Sequence, residues 1–510
     1  MYLARRERIV GYRIPTLPGP PSLFNTWFVH PTGSSTNTGV STAQAWDLST
    51  ALSGGSTGHK VKPGDTVLLL SGTYGDGTQT FTAGLLGSPT NPIVVTAPVG
   101  QHAAINCVEL EFSGSYTWIM SDPSTATWVE IFRSTTTSPD GTDLIRIAEN
   151  DNGIKLIHVV VHDGLGVGIS PQSEVSDTEI YGCYVYNNGR SSLLAPTYGH
   201  GIYAHGDSTP GHVRRIRNNI LFDQVGYGMH CFADTGNLQN FDIENNICFG
   251  NGLGNGFDFL VGGVTDLINL TCSLNYAIRN DGNPVATIGY FAGEGGTNRS
   301  GSVLNNYFAG TVNLDDWDIG QLTFQGNTCV GSGNQVIRLL FSSSTATFGG
   351  FKWNNNTYAS NQSTFGIMAI DVNGGGSETT YDTLAQWRTA TGFDANSTYT
   401  QTANGTLGGT QSLTKSIYNG KVGHLVIHNP TSAATVNVDI SHIVTNGNTY
   451  AILSVYDLFG TPVLSGTYTG GTVAVPLTGT GKTPPPVTGG GFTPTNNLPE
   501  IGVYVVIQTN

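Results

Sequence analysis

The feature that most constrains this chain is a motif that returns seven times at uneven intervals between residues 181 and 358. Aligned on an Asn-bearing turn, it reads Tyr181-Gly-Cys-Tyr-Val185, Arg217-Asn-Asn-Ile-Leu221, Glu244-Asn-Asn-Ile-Cys248 and Leu274-Asn-Tyr-Ala-Ile278. It continues as Leu304-Asn-Asn-Tyr-Phe308, Gln325-Gly-Asn-Thr-Cys329 and Asn354-Asn-Asn-Thr-Tyr358. Its central positions (183, 219, 246, 276, 306, 327 and 356) lie 36, 27, 30, 30, 21 and 29 residues apart. Short apolar segments returning at such intervals, each closed by a turn, describe a β-solenoid rather than a propeller or a helical repeat. The fifth position (Val185, Leu221, Cys248, Ile278, Phe308, Cys329, Tyr358) is apolar throughout and predicts one internal ladder, each turn about 4.8 Å from the next. The Asn residues are expected to stack at the corner, amide on amide.

Composition agrees. Gly supplies 69 of 510 residues and charged residues only 11%, so coiled coils and disordered chains are excluded. The net charge of −14 argues against a nucleic-acid partner, and no apolar run is long enough for membrane insertion. Six cysteines without paired spacing read as small buried hydrophobes, and no metal or other cofactor is implied. The first ten residues lack the apolar core of a secretory signal, which favours a virion protein over a secreted one.

Four segments follow. Residues 1–24 form a basic, Pro-rich arm carrying Arg5, Arg6, Arg8 and Arg13, suited to docking on a virion or surface partner. Residues 25–105 open and cap the solenoid, 106–404 form its body, and 405–510 read as a small β-sandwich with strands near 424–428, 436–440, 450–455, 472–476 and 502–507. Helices are expected at 43–52, with Trp46 inward, and from an Asp382 N-cap to Gly392.

A second motif marks the candidate site: Gly166-Val-Gly-Ile-Ser170, Gly199-His-Gly-Ile-Tyr-Ala-His205, Gly226-Tyr-Gly-Met-His-Cys-Phe232 and Gly254-Asn-Gly-Phe-Asp-Phe-Leu260. Strand alternation sends Ile169, Ile202, Met229 and Phe257 inward, with Pro171, Ala204, Cys231 and Phe259. The outer face then carries His200, Tyr227 and Asn255 in one column, Ser170, Tyr203, His230 and Asp258 in the next, and His205 and Phe232 beyond. His200, Tyr203, His230 and Asp258 are the candidate acid–base residues. Tyr227, His205 and Phe232 supply surfaces on which sugar rings stack, and Arg190 and Tyr198, in the insertion over this face, complete the candidate substrate contacts.

These residues, with Trp27-Phe-Val-His-Pro-Thr-Gly33, Lys62-Pro-Gly-Asp-Thr-Val67 and Asp382-Thr-Leu-Ala-Gln-Trp-Arg388, resemble the right-handed parallel β-helix superfamily of pectate lyases, polygalacturonases and phage tailspikes. The resemblance implies an all-β fold, a right-handed parallel β-helix followed by a small C-terminal β-sandwich. It implies polysaccharide as the partner, a virion or extracellular location, and a homotrimer by analogy with tailspikes. Activity motifs match only in part: Gly199-His200-Gly201 agrees with polygalacturonases, whose carboxylate segments and Arg-Ile-Lys are missing. A tailspike-like protein that engages and depolymerises polysaccharide is the leading expectation. A secreted polysaccharide lyase or glycoside hydrolase is one alternative, and a structural decoration protein without catalysis the other.

Overall fold

A computed structural model describes residues 24–135, 142–148, 151–190, 199–206, 211–233, 236–253, 256–264, 266–279, 284–290, 299–317, 321–331, 335–341, 348–361, 364–370, 377–402, 409–478 and 497–510. The arm, apart from Phe24, lies outside them. The chain winds as a right-handed parallel β-helix. Three sheets run the length of the shaft, of 13, 12 and 12 described strands. The first extends from Thr26–Val29 to Lys352–Asn354, the second from Gly72–Tyr74 to Thr398–Gln401, and the third from Thr80–Ala83 to Ser377–Tyr381. All pair in parallel within the shaft, except that the third closes with the antiparallel partners Gly366–Ile370 and Ser377–Tyr381.

From strand Lys155–Ile157 onward, each turn leaves the first sheet through a two-residue corner. Its first residue is left-handed: Asn218 at φ 56°, Asn245 at 57°, Leu274 at 58°, Asn305 at 56° and Asn355 at 58°. Asn tolerates that conformation better than other residues with a Cβ, which is why it recurs there. The second residue is the ladder asparagine. Asn219 Nδ2 donates to Asn246 Oδ1 at 2.9 Å, Asn246 to Asn275 at 3.0 Å, and Asn275 to Asn306 at 2.9 Å. Asn306 continues to Asn327 at 3.0 Å and Asn327 to Asn356 at 3.3 Å. Each receiving oxygen also accepts the backbone N–H of the donor's residue, so the corner's buried polar groups are satisfied by its own repeat.

One repeat is out of register with the sequence alignment. Asn275, not Tyr276, is the ladder member, and the steps around it are 29 and 31 residues. Cys248 pairs with Ala277 and Ala277 with Phe308, so Ala277 occupies the internal column. Ile278 points outward between Phe249 and Ala309. The cause is Leu274, which takes the left-handed position that Asn holds in neighbouring turns.

Near the N-terminus a short 3-10 turn, Thr42–Gln44, and a one-turn helix, Leu48–Leu52, flank Trp46, which is buried and stacks on Trp27 at 4.8 Å. At the far end the helix Leu384–Thr391 is capped by Thr383 rather than Asp382. Its hydroxyl accepts from Gln386 N while the Gln386 side chain accepts from Thr383 N, and Gly392 ends it at φ 74°. Trp387 and Asp394 close the end of the core.

The C-terminal strands are antiparallel. Five (Thr410–Lys415, Val422–His428, Ile501–Gln508, Thr449–Ser454 and Leu464–Thr467) form one sheet, and Thr435–Asp439 pairs with Thr472–Pro476 in a second. A core of Leu425, Ile427, Val438, Ile452, Val475 and Tyr504 lies between them. The larger sheet's other face, with Val422, Val426, Val503, Val505 and Ile507, lies flat on the second sheet of the shaft, against Ile220, Phe222, Ile247, Phe249 and Ile278. The middle of that sheet is therefore buried on both faces, and its strands there are apolar at every position, as in Ile220–Phe222 and Ile247–Phe249. Among the described residues, no helix is long and apolar enough to cross a membrane. The six cysteines are free and buried.

Candidate functional site on the third sheet

The third sheet, unlike the second, has no described sandwich strand on its outer face. Ile202–His205 and Met229–Ala233 are adjacent there, with Tyr203 paired to His230 and His205 to Phe232. Ile202, Ala204, Met229 and Cys231 are fully buried in the shaft, so these four side chains lie outside it, as alternation predicts. Tyr203 stacks on His230 with ring centres 4.7 Å apart and planes 11° from parallel. His205 tilts against Tyr203 at 4.2 Å, Phe232 against His230 at 5.1 Å, and Tyr227 against His230 at 4.7 Å. Tyr290 meets Phe232 edge-on at 4.9 Å.

His200 departs from expectation: it is fully buried rather than solvent-facing. It precedes its strand, where alternation has not begun, and folds beneath the rings of Tyr227 and His230. The Tyr227 backbone N–H donates to His200 Nδ1 at 3.0 Å, so a neutral His200 carries its proton on Nε2. That atom lies 3.2 Å from His230 Nδ1, which must accept, leaving the His230 proton on Nε2. Burial, and secondarily His200 and His205, hold His230 well below the usual histidine range. His230 is therefore neutral and fixed as an N–H donor, not as a base at that atom. Among the described residues, no group of three His, Cys, Asp or Glu side chains is arranged to hold a metal ion.

Asp258 is a second correction. Met229 pairs with Phe259 and His230 with Leu260, two residues later than the motif alignment. The longer corner before this strand pulls Asp258 inside, where Asn251 Nδ2 donates to its Oδ1 at 2.7 Å. It ends a second, buried amide ladder through Asn188, Gln224 and Asn251. Asp223 is sealed in the same corner, and burial followed by the charge of Asp258 keeps its carboxyl well above the ordinary range. Neither reaches the outer face. Phe257, expected inside, is half-buried beside Tyr227 at 5.5 Å. Arg190 is half-buried at the start of the insertion; Tyr198 and Asn255 lie outside the described residues. Lys155 is committed on the first sheet, to Glu179 at 2.7 Å and Tyr418 at 2.8 Å.

Two residues were missed in the sequence. Arg146 pairs in register with Ser170, one strand before Tyr203, and its guanidinium bonds Glu111 at 2.8 Å. Asp143 lies beside Ser170, with Gln172 Nε2 at 3.4 Å from its Oδ2 and 2.8 Å from Ser170 Oγ. Burial, against the Ser170 hydrogen bond and the Arg146 charge, lifts the Asp143 carboxyl to about 6. The signal was present: Leu144-Ile-Arg-Ile147 alternates as Gly168-Ile-Ser-Pro171 does one turn later.

No protein-family model matches this chain, and no curated protein matches it in sequence. The chain is similar in part to solved structures. Pectate lyase Pel9A is 17% identical over 66% of this chain and 80% of its own, with a TM-score of 0.40. A rhamnogalacturonan lyase is 17% identical over 66% and 81%, at 0.34. An alginate lyase from Paenibacillus sp. str. FPU-7 is 16% identical over 68% and 98%, at 0.30.

Proposed function

We propose that this chain binds a polysaccharide along the outer face of the third sheet and cleaves it there by proton transfer. The observation that carries this reading is the stack of Tyr203 on a His230 fixed by His200 as an N–H donor, flanked by the half-buried rings of Tyr227 and Phe232. Rings of this kind form platforms for sugar faces, and a positioned neutral N–H suits hydrogen bonding to an oxygen on which negative charge develops. Asp143, lifted to about 6, is a group on this face able to exchange a proton near neutral pH, and in strand order Tyr203 lies between it and His230. A screen against neutral and acidic polysaccharides, read by reducing ends and by ultraviolet absorbance of unsaturated ends, separates hydrolysis from elimination. His230→Ala and Tyr203→Phe are each expected to lower cleavage about 100-fold, the scale of positioned acid–base groups. Unchanged cleavage in both removes this face from the chemistry. Binding without cleavage of any polymer leaves a recognition shaft in place of an enzyme.

The same reading places the protein on a virion or cell surface, anchored through residues 1–24, whose four arginines and four prolines suit an extended docking arm. Deleting that segment is expected to abolish assembly with the partner particle and to leave the melting temperature unchanged. A deletion variant that still assembles refutes the anchor.

A further inference from the structure

Beyond His230 the outer face of the third sheet is closed, since Leu260, its partner on the next strand, is buried. In the other direction, toward the N-terminal end of the shaft, the face opens. Thr80 and Thr82 on its first strand are exposed and pair with Glu109 and Glu111, and Glu111 pairs in turn with Arg146. The side chains of Arg146 and Glu111 keep 36% and 28% of their surface exposed, so a ligand reaches both. Arg146 stands two strands before Tyr203 and Glu111 three, about 10 and 14 Å away along the shaft. Gln172 and Asp143, both half-buried, lie between them and the rings.

Charge on this open stretch is unbalanced. Glu109 feels the carboxylates of Glu111 and Asp143 and the guanidinium of Arg146, which is already engaged by Glu111 at 2.8 Å. Glu109 itself makes no hydrogen bond or ion pair among the described residues. Burial first, then Glu111 and Asp143 against Arg146, raises its carboxyl. Asp151, close enough to Glu111 to feel its charge, is 6% exposed, and its Oδ2 has no hydrogen-bond partner among the described residues. Unpaired carboxylates at such depth are costly, and a cation removes the cost. These side chains are not arranged to share a metal ion, so the cation that fits is one carried by a ligand.

We infer that Glu109 and Glu111 bind an ammonium group and that the polymer engaged by the third sheet carries hexosamine with free amines, which rests on the polysaccharide reading above and narrows its substrate class. An ammonium beside Glu109 brings both the hydrogen-bond donor and the charge that this stretch lacks. A sugar hydroxyl brings the donor alone. A uronate carboxylate meets three carboxylates and one guanidinium that is already paired. The net charge of −14 acts in the same sense, drawing cationic polymers to the chain and repelling anionic ones. The separation of Glu111 from Tyr203 corresponds to roughly three sugar units along an extended chain, so one polymer spans the amine point and the ring cluster.

The test is calorimetric titration of the full chain at pH 6.5 and low salt with a β-1,4-linked glucosamine hexamer, cellohexaose and hexagalacturonate. The glucosamine hexamer is expected to bind about tenfold more tightly than cellohexaose, which has hydroxyls in place of its amines, and hexagalacturonate more weakly than either. Added salt weakens the first and leaves cellohexaose unchanged. Glu109→Gln, nearly isosteric, is expected to bring the glucosamine hexamer to the level of cellohexaose. A melting temperature within a degree or two of the parent protein's shows that the variant is folded. The inference is overturned if the amines confer no advantage over cellohexaose, if hexagalacturonate binds as tightly as the glucosamine hexamer, or if Glu109→Gln binds as the parent does. His230→Ala keeps the two readings apart, because it should lose cleavage and retain the preference for amines. Amine-dependent binding with no cleavage of any polymer overturns the catalytic reading alone. His230-dependent cleavage confined to polymers without amines overturns this inference alone.

Discussion

Asn246→Leu is expected to lower the unfolding free energy by roughly 4–6 kcal/mol, far more than a surface substitution. Asn246 is fully buried in the middle of the corner ladder. Its Nδ2 donates to Ile216 O at 2.7 Å and to Asn275 Oδ1 at 3.0 Å. Its Oδ1 accepts from Asn219 N at 3.0 Å and from Asn219 Nδ2 at 2.9 Å. Leucine has a similar volume but meets none of these four bonds, stranding a carbonyl and two N–H groups where water does not reach. Each orphan costs about 1–3 kcal/mol, and the leucine's own burial offsets only part of the total. Replacing the neighbouring Asn245, whose task is a left-handed φ of 57°, by Ala should cost only about 1–2 kcal/mol. Urea unfolding of the two variants measures the contrast. Equal losses would mean that the corner is held by backbone conformation and not by the amide stack.

That ladder is also why the fold was legible. An amide that bonds the same amide one turn away must recur wherever the turn recurs, so insertions elsewhere in the coil cannot hide it. Register was less secure, for a physical reason. Most corners carry two asparagines with different tasks, one left-handed and one stacked, and Leu274-Asn275 has only one. A lone Asn can be assigned to either task from sequence. Within the candidate site, alternation placed Tyr203, His205, His230 and Phe232 correctly because they lie inside strands. It failed for His200 and Asp258, which belong to corners, where side-chain direction follows the bend. The sandwich's docking surface left a partial trace. Strands such as Ile247-Cys248-Phe249 are apolar on both sides and require a cover, but the strands that supply it lie far along the chain and share no local pattern with them.

Acidification is expected to detach that cover. Three histidines are buried where the sandwich meets the shaft. His424 Nδ1 donates to Asn218 O at 2.7 Å, and its Nε2 accepts from Tyr184 OH at 3.0 Å, so it is held neutral. His158 Nε2 pairs with Ser416 Oγ at 3.0 Å, and His428 Nδ1 with Tyr307 OH at 2.6 Å. Burial depresses all three, His158 and His428 to about 4 and His424 to about 3. A histidine depressed in the folded state costs nothing above its unfolded value near 6.5. Below that value the unfolded chain takes up the proton and the folded chain does not. Stability then falls by about 1.4 kcal/mol per pH unit per residue, or about 3 kcal/mol each by pH 4. Asp223, lifted by burial and close enough to Tyr456 to add to burial in raising its hydroxyl, offsets part of this loss in the same window, whereas Glu179 and His162 act outside it. Glu179 is held low, its burial outweighed by Lys155 and Tyr418, and so loses its contribution only below the ordinary carboxylate range. At the rim His162 runs the opposite way. Against the cost of burial, Asp163 and Glu130 raise it to about 9, so its contribution is complete below 6.5 and is lost as pH climbs through 9. The interface should therefore be most stable near neutrality and steeply weaker between pH 6 and pH 4. Trp128 packs edge-on against Phe459 of the C-terminal unit at 5.4 Å, so the share of the seven-tryptophan emission that Trp128→Phe removes reports the contact. A melting temperature and fluorescence flat from pH 7 to pH 4 would show that these histidines do not govern docking, whereas His424→Gln, which retains an amide donor and acceptor, should remove about a third of the acid slope.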